Sequence, residues 1–343
     1  MWNLAGHEKA IRLLSSMLLK DMVSHAYLFH GPARIGKTTL AITVAMAINC
    51  VDVSKSRPCG ECSQCERITS GNHPDVQVIE VMSNEEIKGI DQIRDIQHSS
   101  SLKPYEGERR IFILPEISQL SIQASNALLR LLEEPPEKVT FLLTSTNLES
   151  VIPTILSRCQ IIGTKRVPDD QIIDYLTSHF GITPGDATHI ARISQGQVGW
   201  AIEASTNPEL LEDYDSSLSL MDSILIGNLD KRFKHAEEMA STYTRNRHKA
   251  LQQLSIGIAW WRDILMLKES IEGSVCNFPI KASLRRHSKH IELSDIVATI
   301  KAFQNTILYL ESNVNPRLAF EALVLNIPIL REFKTPTASV TQN

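Results

Sequence analysis

Eight residues constrain this chain more than any others. Gly31–Thr38 reads GPARIGKT, which fits G-x-x-x-x-G-K-[ST] without a gap. It follows the apolar run AYLFH (Ala26–His30) and opens a helical pattern, Lys37–Asn49. A strand that turns through glycines into a helix leaves backbone N–H groups converging on one point, and the helix N-terminus adds partial positive charge. Gly31 and Gly36 permit such a turn. Lys37 is then placed to reach β- and γ-phosphates and Thr38 to meet Mg²⁺, with Thr39 beside it.

The rest of the first half has the same rhythm. Apolar runs at Val76–Val81, Arg110–Leu114, Thr140–Ser145 and Cys159–Gly163 alternate with helical patterns such as Gly89–Gln97 and Ser121–Glu134. Continuous apolar strands separated by helices predict an α/β domain with a parallel sheet covered on both faces. After Val167 the strand signal stops. Asp169 and Asp170 mark a helix start by complementing its dipole. Three short helices are expected to about Ser205, with turns at Gly181–Gly185 and Ser194–Gly199. Longer patterns follow at Leu210–Ile226, Leu229–Tyr243, Arg247–Ile271, Leu293–Asn313 and Pro316–Leu325. The expected layout is an α/β domain at 1–165, a small helical domain at 166–206, a helical domain at 207–333 and a disordered polar tail at 334–343.

Composition excludes several classes. With 343 residues, 43% of them hydrophobic, the chain has ample material for two or three cores. A net charge of -4 gives no global pull toward nucleic acid, so any DNA contact must be a local basic patch. No basic and aromatic interleaving marks such a patch. The N-terminus has no basic region followed by an apolar core. The longest apolar candidate for a membrane span, Leu254–Leu267, is broken by Arg262 and Asp263. A soluble cytoplasmic protein is expected.

Four of the six cysteines cluster as Cys50-x8-Cys59-x2-Cys62-x2-Cys65. Pro58, Gly60 and Ser63 supply the turns between them. Four thiolates at this spacing close a tetrahedron around Zn²⁺, a structural site with no open position. An iron–sulfur cluster is the rival, although the Cys-Pro that ends ferredoxin-type runs is missing.

Hydrolysis of a bound nucleotide asks for acids at a second strand end, one for Mg²⁺ and one for the attacking water. Arg110–Leu114 runs into Pro115-Glu116. Proline brings no carboxylate to the metal. Glu116 is a candidate residual base, or a solvated acid at a strand end. A small-molecule kinase needs an acid poised on an acceptor hydroxyl, and no candidate stands out.

Four stretches together carry a resemblance: HAYLFHGPARIGKTTLA (His25–Ala41), the cysteine knuckle, ASNALLRLLEEPP (Ala124–Pro136) and FLLTSTNLESVIPTILSRC (Phe141–Cys159). They resemble the bacterial clamp-loader ATPases of the AAA+ class, the delta-prime and gamma/tau subunits of DNA polymerase III holoenzyme. WWRDILMLK (Trp260–Lys268) and NVNPRLAFEALVLNIP (Asn313–Pro328) are similar to the collar domain of those proteins.

The resemblance implies an AAA+ domain, a lid and a collar. It implies a hetero-pentameric ring with gamma/tau and delta subunits that places a sliding clamp on primed DNA. ATP with Mg²⁺ sits at subunit junctions, and Arg158 of Ser157-Arg158-Cys159 is the arginine finger offered in trans to a neighbour. Thr146, or its neighbour Ser145, matches the first nucleotide sensor. Trp200 stands where the second sensor, an arginine, is expected. Arg34 replaces a common glycine, which accepts positive φ more cheaply. These departures favour a delta-prime-like ring member with weak or no turnover. A catalytically active gamma/tau-like subunit is the alternative.

Overall fold

The structure is a computed structural model that describes residues 2–52, 57–79, 90–277, 280–312 and 314–329. The expected tail, 334–343, and the Val81 end of the second expected strand lie outside the described residues. The chain divides into two compact units, Met1–Ser205 and Thr206–Asn343. The helices expected in the small second domain lie in the same unit as the sheet.

The first unit runs α1 (Glu8–Leu19), β1 (Ala26–His30), α2 (Lys37–Asn49), α3 (Ser63–Thr69), β2 (Val76–Val78), α4 (Ile90–Ser100) and β3 (Arg110–Leu114). It continues through α5 (Ile122–Glu133), β4 (Val139–Ser145), α6 (Pro153–Leu156), β5 (Gln160–Gly163), α7 (Asp169–Phe180), α8 (Pro184–Ser194) and α9 (Val198–Thr206). The strands form one sheet in the order β2-β3-β4-β1-β5, with every neighbouring pair parallel.

The period of two explains why the central strands β3, β4 and β1 read as nearly unbroken apolar runs. In β1, Ala26 and Leu28 enter the core on one face of the sheet. Tyr27 and Phe29 enter the core on the other face. Helix limits follow local chemistry. Ser121 Oγ accepts from the Ala124 N–H at 3.1 Å to start α5, and Pro135-Pro136 follow its end. Asp169 and Asp170 stand in the first turn of α7, whose C-cap Gly181 takes a left-handed φ of 65°. Helices α1, α3 and α6 are additions that the sequence pattern did not reveal. Of these, α3 and α6 are short, at seven and four residues, whereas α1 is a twelve-residue amphipathic helix.

The second unit is helical: α10 (Pro208–Ile226), α11 (Leu229–Arg245), α12 (Arg247–Lys268), α13 (Lys281–His290), α14 (Leu293–Glu311) and α15 (Pro316–Leu325). Trp260 and Trp261 are buried core residues in edge-to-face contact, 5.3 Å between ring centres. The buried Arg232 donates to the carbonyls of Leu225, Gly227, Val324, Ile327 and Pro328. It thereby satisfies the carbonyls left open at the ends of α10 and α15. Helix α13 was not anticipated. Its ten residues hold four Lys or Arg and two His, and Leu284 is its one buried apolar side chain. No helix among the described residues is long and apolar enough to cross a membrane.

Candidate functional site

Strand register alone assembles one edge of the sheet. His30 pairs with Ser145 and Leu114 with Leu143. The residues after β1, β3 and β4 therefore stand in a row: Gly31, Glu116 and Thr146. At Gly31 a Cβ would meet the carbonyl oxygen of Thr164 at 2.5 Å, so only glycine lets the chain pass. Gly36 turns into α2 at a left-handed φ of 87°. Arg34 also has a positive φ, 56°, and so carries a cost of about 1 kcal/mol that glycine would avoid.

Lys37 is buried, and its Nζ donates to the carbonyls of Gly31 and Pro32, both at 2.9 Å. Burial lowers its pKa, while the nearby Glu116 carboxylate works the other way. Glu116 sits at a left-handed φ of 50°. Its Oε1 accepts from Ser118 Oγ at 2.6 Å, from the Thr146 N–H at 2.7 Å and from Thr146 Oγ1 at 2.9 Å. Ser145 is buried and its hydroxyl closes the strand-end turn with Asn147. Of the two sensor candidates, the geometry thus brings Thr146 to the acid. Thr38 is half-buried and Thr39 exposed at the start of α2.

The helical segment after the sheet reaches this edge. The Gly199 N–H donates to the Arg34 carbonyl at 2.7 Å, and the Arg34 guanidinium pairs with Glu203 at 3.0 Å. Trp200 is buried in α9 and presents no cation. His7 Nε2 donates to the Ile35 carbonyl at 2.6 Å. His7 and Glu203 were missed in the sequence because both are distant in the chain and belong to no motif.

Arg158 lies at the other edge. It stands in the turn before β5, whose Gln160 pairs with Tyr27 near the start of β1, whereas the phosphate loop follows the end of β1. Its guanidinium bonds Glu133 Oε1 at 2.7 Å and the Thr154 carbonyl at 3.0 Å, and its side chain stays 34% exposed. Two segments that are separate in sequence, LLEEPP and ILSRC, meet in this pair.

The cysteines stand near the same edge, after the C-terminus of α2. All four sulfurs lie within 4.8 Å of one another. Cys59 and Cys65 are 3.9 Å apart, and Cys62 and Cys50 are 4.0 Å apart. Four thiolates at the usual zinc–sulfur bond length span a tetrahedron with edges of about 3.8 Å, so the set fits Zn²⁺. Without an ion the thiols divide: burial pushes Cys50 and Cys65 up, whereas at Cys62 burial is outweighed by bonds involving Cys65, Val51 and the neighbouring thiols, which lower the pKa. Beside the knuckle, the fully buried Asp75 carboxylate accepts from the N–H groups of Tyr105, Glu106 and Gly107 at 2.8–2.9 Å. This acid was not anticipated either, since a single Asp before a strand reads as a turn.

Residues 6–168 match the family described as DNA polymerase III, delta subunit. The chain is 30% identical over 344 residues to DNA polymerase III subunit tau of Bacillus subtilis, covering 95% of this chain and 61% of that relative. It is 27% identical over 317 residues to DNA polymerase III subunit delta' of the same organism, covering 92% and 94%. DNA polymerase III subunit tau of Escherichia coli is 31% identical over 234 residues, covering 66% and 36%. The chain therefore spans less than two thirds of the tau relatives and nearly all of the delta' relative. With its phosphate loop, its four-cysteine knuckle and Arg158 in one α/β unit, the chain belongs to the clamp-loader family of DNA polymerase III subunits.

Proposed function

We propose that this chain is a delta-prime-like subunit of the DNA polymerase III clamp loader, a cytoplasmic member of a hetero-pentameric ring with gamma/tau and delta subunits. In this role it helps place the sliding clamp on primed DNA for the holoenzyme, itself a DNA-directed nucleotidyltransferase. Arg158 is donated in trans to the ATP of a neighbour, where a guanidinium stabilises charge spreading over the transferred phosphate. The observation that carries this reading is the position of Arg158, before the start of β5 and partly open to solvent, while its own phosphate loop follows the opposite end of β1.

The loop's own chemistry supports a modest role. Lys37 would exchange the Gly31 and Pro32 carbonyls for phosphate oxygens, and Thr38 would face Mg²⁺. Pro115 offers no second carboxylate and Trp200 no phosphate-sensing cation, so binding with weak or no turnover is the expected behaviour. The knuckle would hold Zn²⁺ through Cys50, Cys59, Cys62 and Cys65 as a structural group. In the helical unit, exposed Leu229 and Phe233 of α11 and Leu318 and Leu325 of α15 supply apolar surface for a neighbouring collar.

A gamma/tau-like motor is the second reading. The Ser118 and Thr146 bonds that hold Glu116 at the loop edge favour it. Arg158→Ala in the reconstituted loader tests the first reading. The ring is expected to assemble while DNA-stimulated ATPase and clamp loading fall by at least about tenfold, since such fingers contribute far more in other systems. Full activity of the variant complex rejects the trans role.

A further inference from the structure

The strongest feature that the proposed function leaves unused is α13 in the second unit. Its sequence KASLRRHSKH contains no acid, in a chain with a net charge of -4. Leu284, His287 and Ser288 face inward and are buried. Inside, His287 meets Asp222 Oδ1 at 2.6 Å and packs near Trp260. The outer face is the opposite stripe: Arg285, Arg286, Lys289 and His290 are all exposed. Arg285–Lys289 and Arg286–His290 form two adjacent rows at i,i+4 spacing, a rise of about 6 Å along the helix.

Two acids lie near this helix: Asp222 holds His287 on its inner side and acts on Arg286 at longer range, and Glu272 serves its first half. Glu272 pairs with Lys281 at 3.0 Å and also with Arg285. Among the described residues, no ion pair within 4.0 Å joins Arg286 or Lys289 to an acid. Arg286 feels the Asp222 carboxylate only at longer range, and both side chains keep their exposed positions on the stripe. The helix dipole favours Lys289 and His290 in the last turn, but it does not account for Arg285 and Arg286 before them, which repel those residues at i,i+4 spacing.

We propose that the outer face of α13 is a contact surface for the sugar–phosphate backbone of DNA, with Arg286 and Lys289 as the main phosphate ligands. The partner class rests on the clamp-loader reading, which makes DNA the polyanion that the chain meets. Charge complementarity carries the contact itself. No side chain of the stripe presents an aromatic platform, so the contact is independent of sequence and sensitive to salt.

The test uses the full chain and two fluorescent probes, a 30-nucleotide oligo(dT) and a primed duplex, followed by anisotropy across a salt series. The double variant Arg286→Ala/Lys289→Ala is compared with Lys231→Ala/Lys234→Ala, which removes equal charge from exposed positions of α11. The first pair is expected to weaken DNA binding about tenfold and to reduce the slope of log K against log salt by about 1.5, the amount two lost phosphate contacts predict. The second pair should leave both nearly unchanged.

Equal effects of the two pairs, or no effect of the first, overturn the proposal. If the first pair loses binding to poly-glutamate but keeps DNA affinity, the face serves an acidic protein and the DNA assignment falls. The two readings also separate. A chain that joins no DNA polymerase III complex yet shows the α13 effect leaves this contact standing, whereas an active complex with unaltered DNA binding removes only the α13 contact.

Discussion

The two edges of the sheet solve different problems with the same backbone. At the strand ends, the groups bond to one another: Lys37 to loop carbonyls, Glu116 to Thr146, Arg34 to Glu203. Each polar group there is held by short-range partners around a turn of phosphate-binding shape. At the strand starts, the knuckle and the Asp75 knot brace the loops that enter β2 and β3. Before β5, on the far side of the sheet from β2, Arg158 projects with one carboxylate partner and a third of its side chain in solvent. One edge is organised to hold a ligand and the other to present a side chain. A parallel sheet separates these tasks by the length of its strands.

The largest test of this contrast is the metal. The purified chain is expected to carry about one Zn²⁺ by elemental analysis. Cys65→Ser should reduce this to near zero and loosen the strand-start edge, because structural zinc contributes on the order of 10 kcal/mol in small domains. A folded, unchelated sample without zinc would count against the site.

Asp75→Asn comes next. Burial raises the cost of the Asp75 charge, but the Glu106, Gly107 and Tyr105 N–H groups and Arg110 outweigh it and hold the pKa below the ordinary carboxylate value. A depressed folded-state pKa stabilises the protein fully above the unfolded value near ~4 and is lost as pH falls through the folded value. The variant should lose about 3 kcal/mol at neutral pH in urea titrations and lose part of its acid-limb dependence. An unchanged acid limb would mean that the carboxylate is not the brace.

Lys37→Ala is the smallest change to the fold, with less than about 1 kcal/mol expected because relief of the buried ammonium offsets the loss of its two carbonyl bonds. Its effect on the isolated chain is sharper. The parent chain should bind ATP with Mg²⁺ and turn it over little or not at all, and the variant should lose the binding. Turnover by the parent that Lys37→Ala abolishes would shift the chain to the motor reading. No binding by the parent would make the loop a relic and leave Arg158 as its chemical contribution.

Local sequence was sufficient for much of this protein. The continuous apolar runs located the strands that build the parallel sheet, because a strand buried on both faces admits few polar residues. The phosphate loop and the cysteine cluster were legible because their chemistry sits in consecutive or nearly consecutive residues. Tertiary structure decided what lies far apart in the chain. Register put Glu116 beside Thr146, and packing joined Arg158 to Glu133 and Arg34 to Glu203. It also turned the charged face of α13 outward, since Leu284 and His287 are the side chains its neighbours bury. Such pairings depend on which surfaces meet, and a one-dimensional pattern encodes a residue's side of its own element without naming what packs against it.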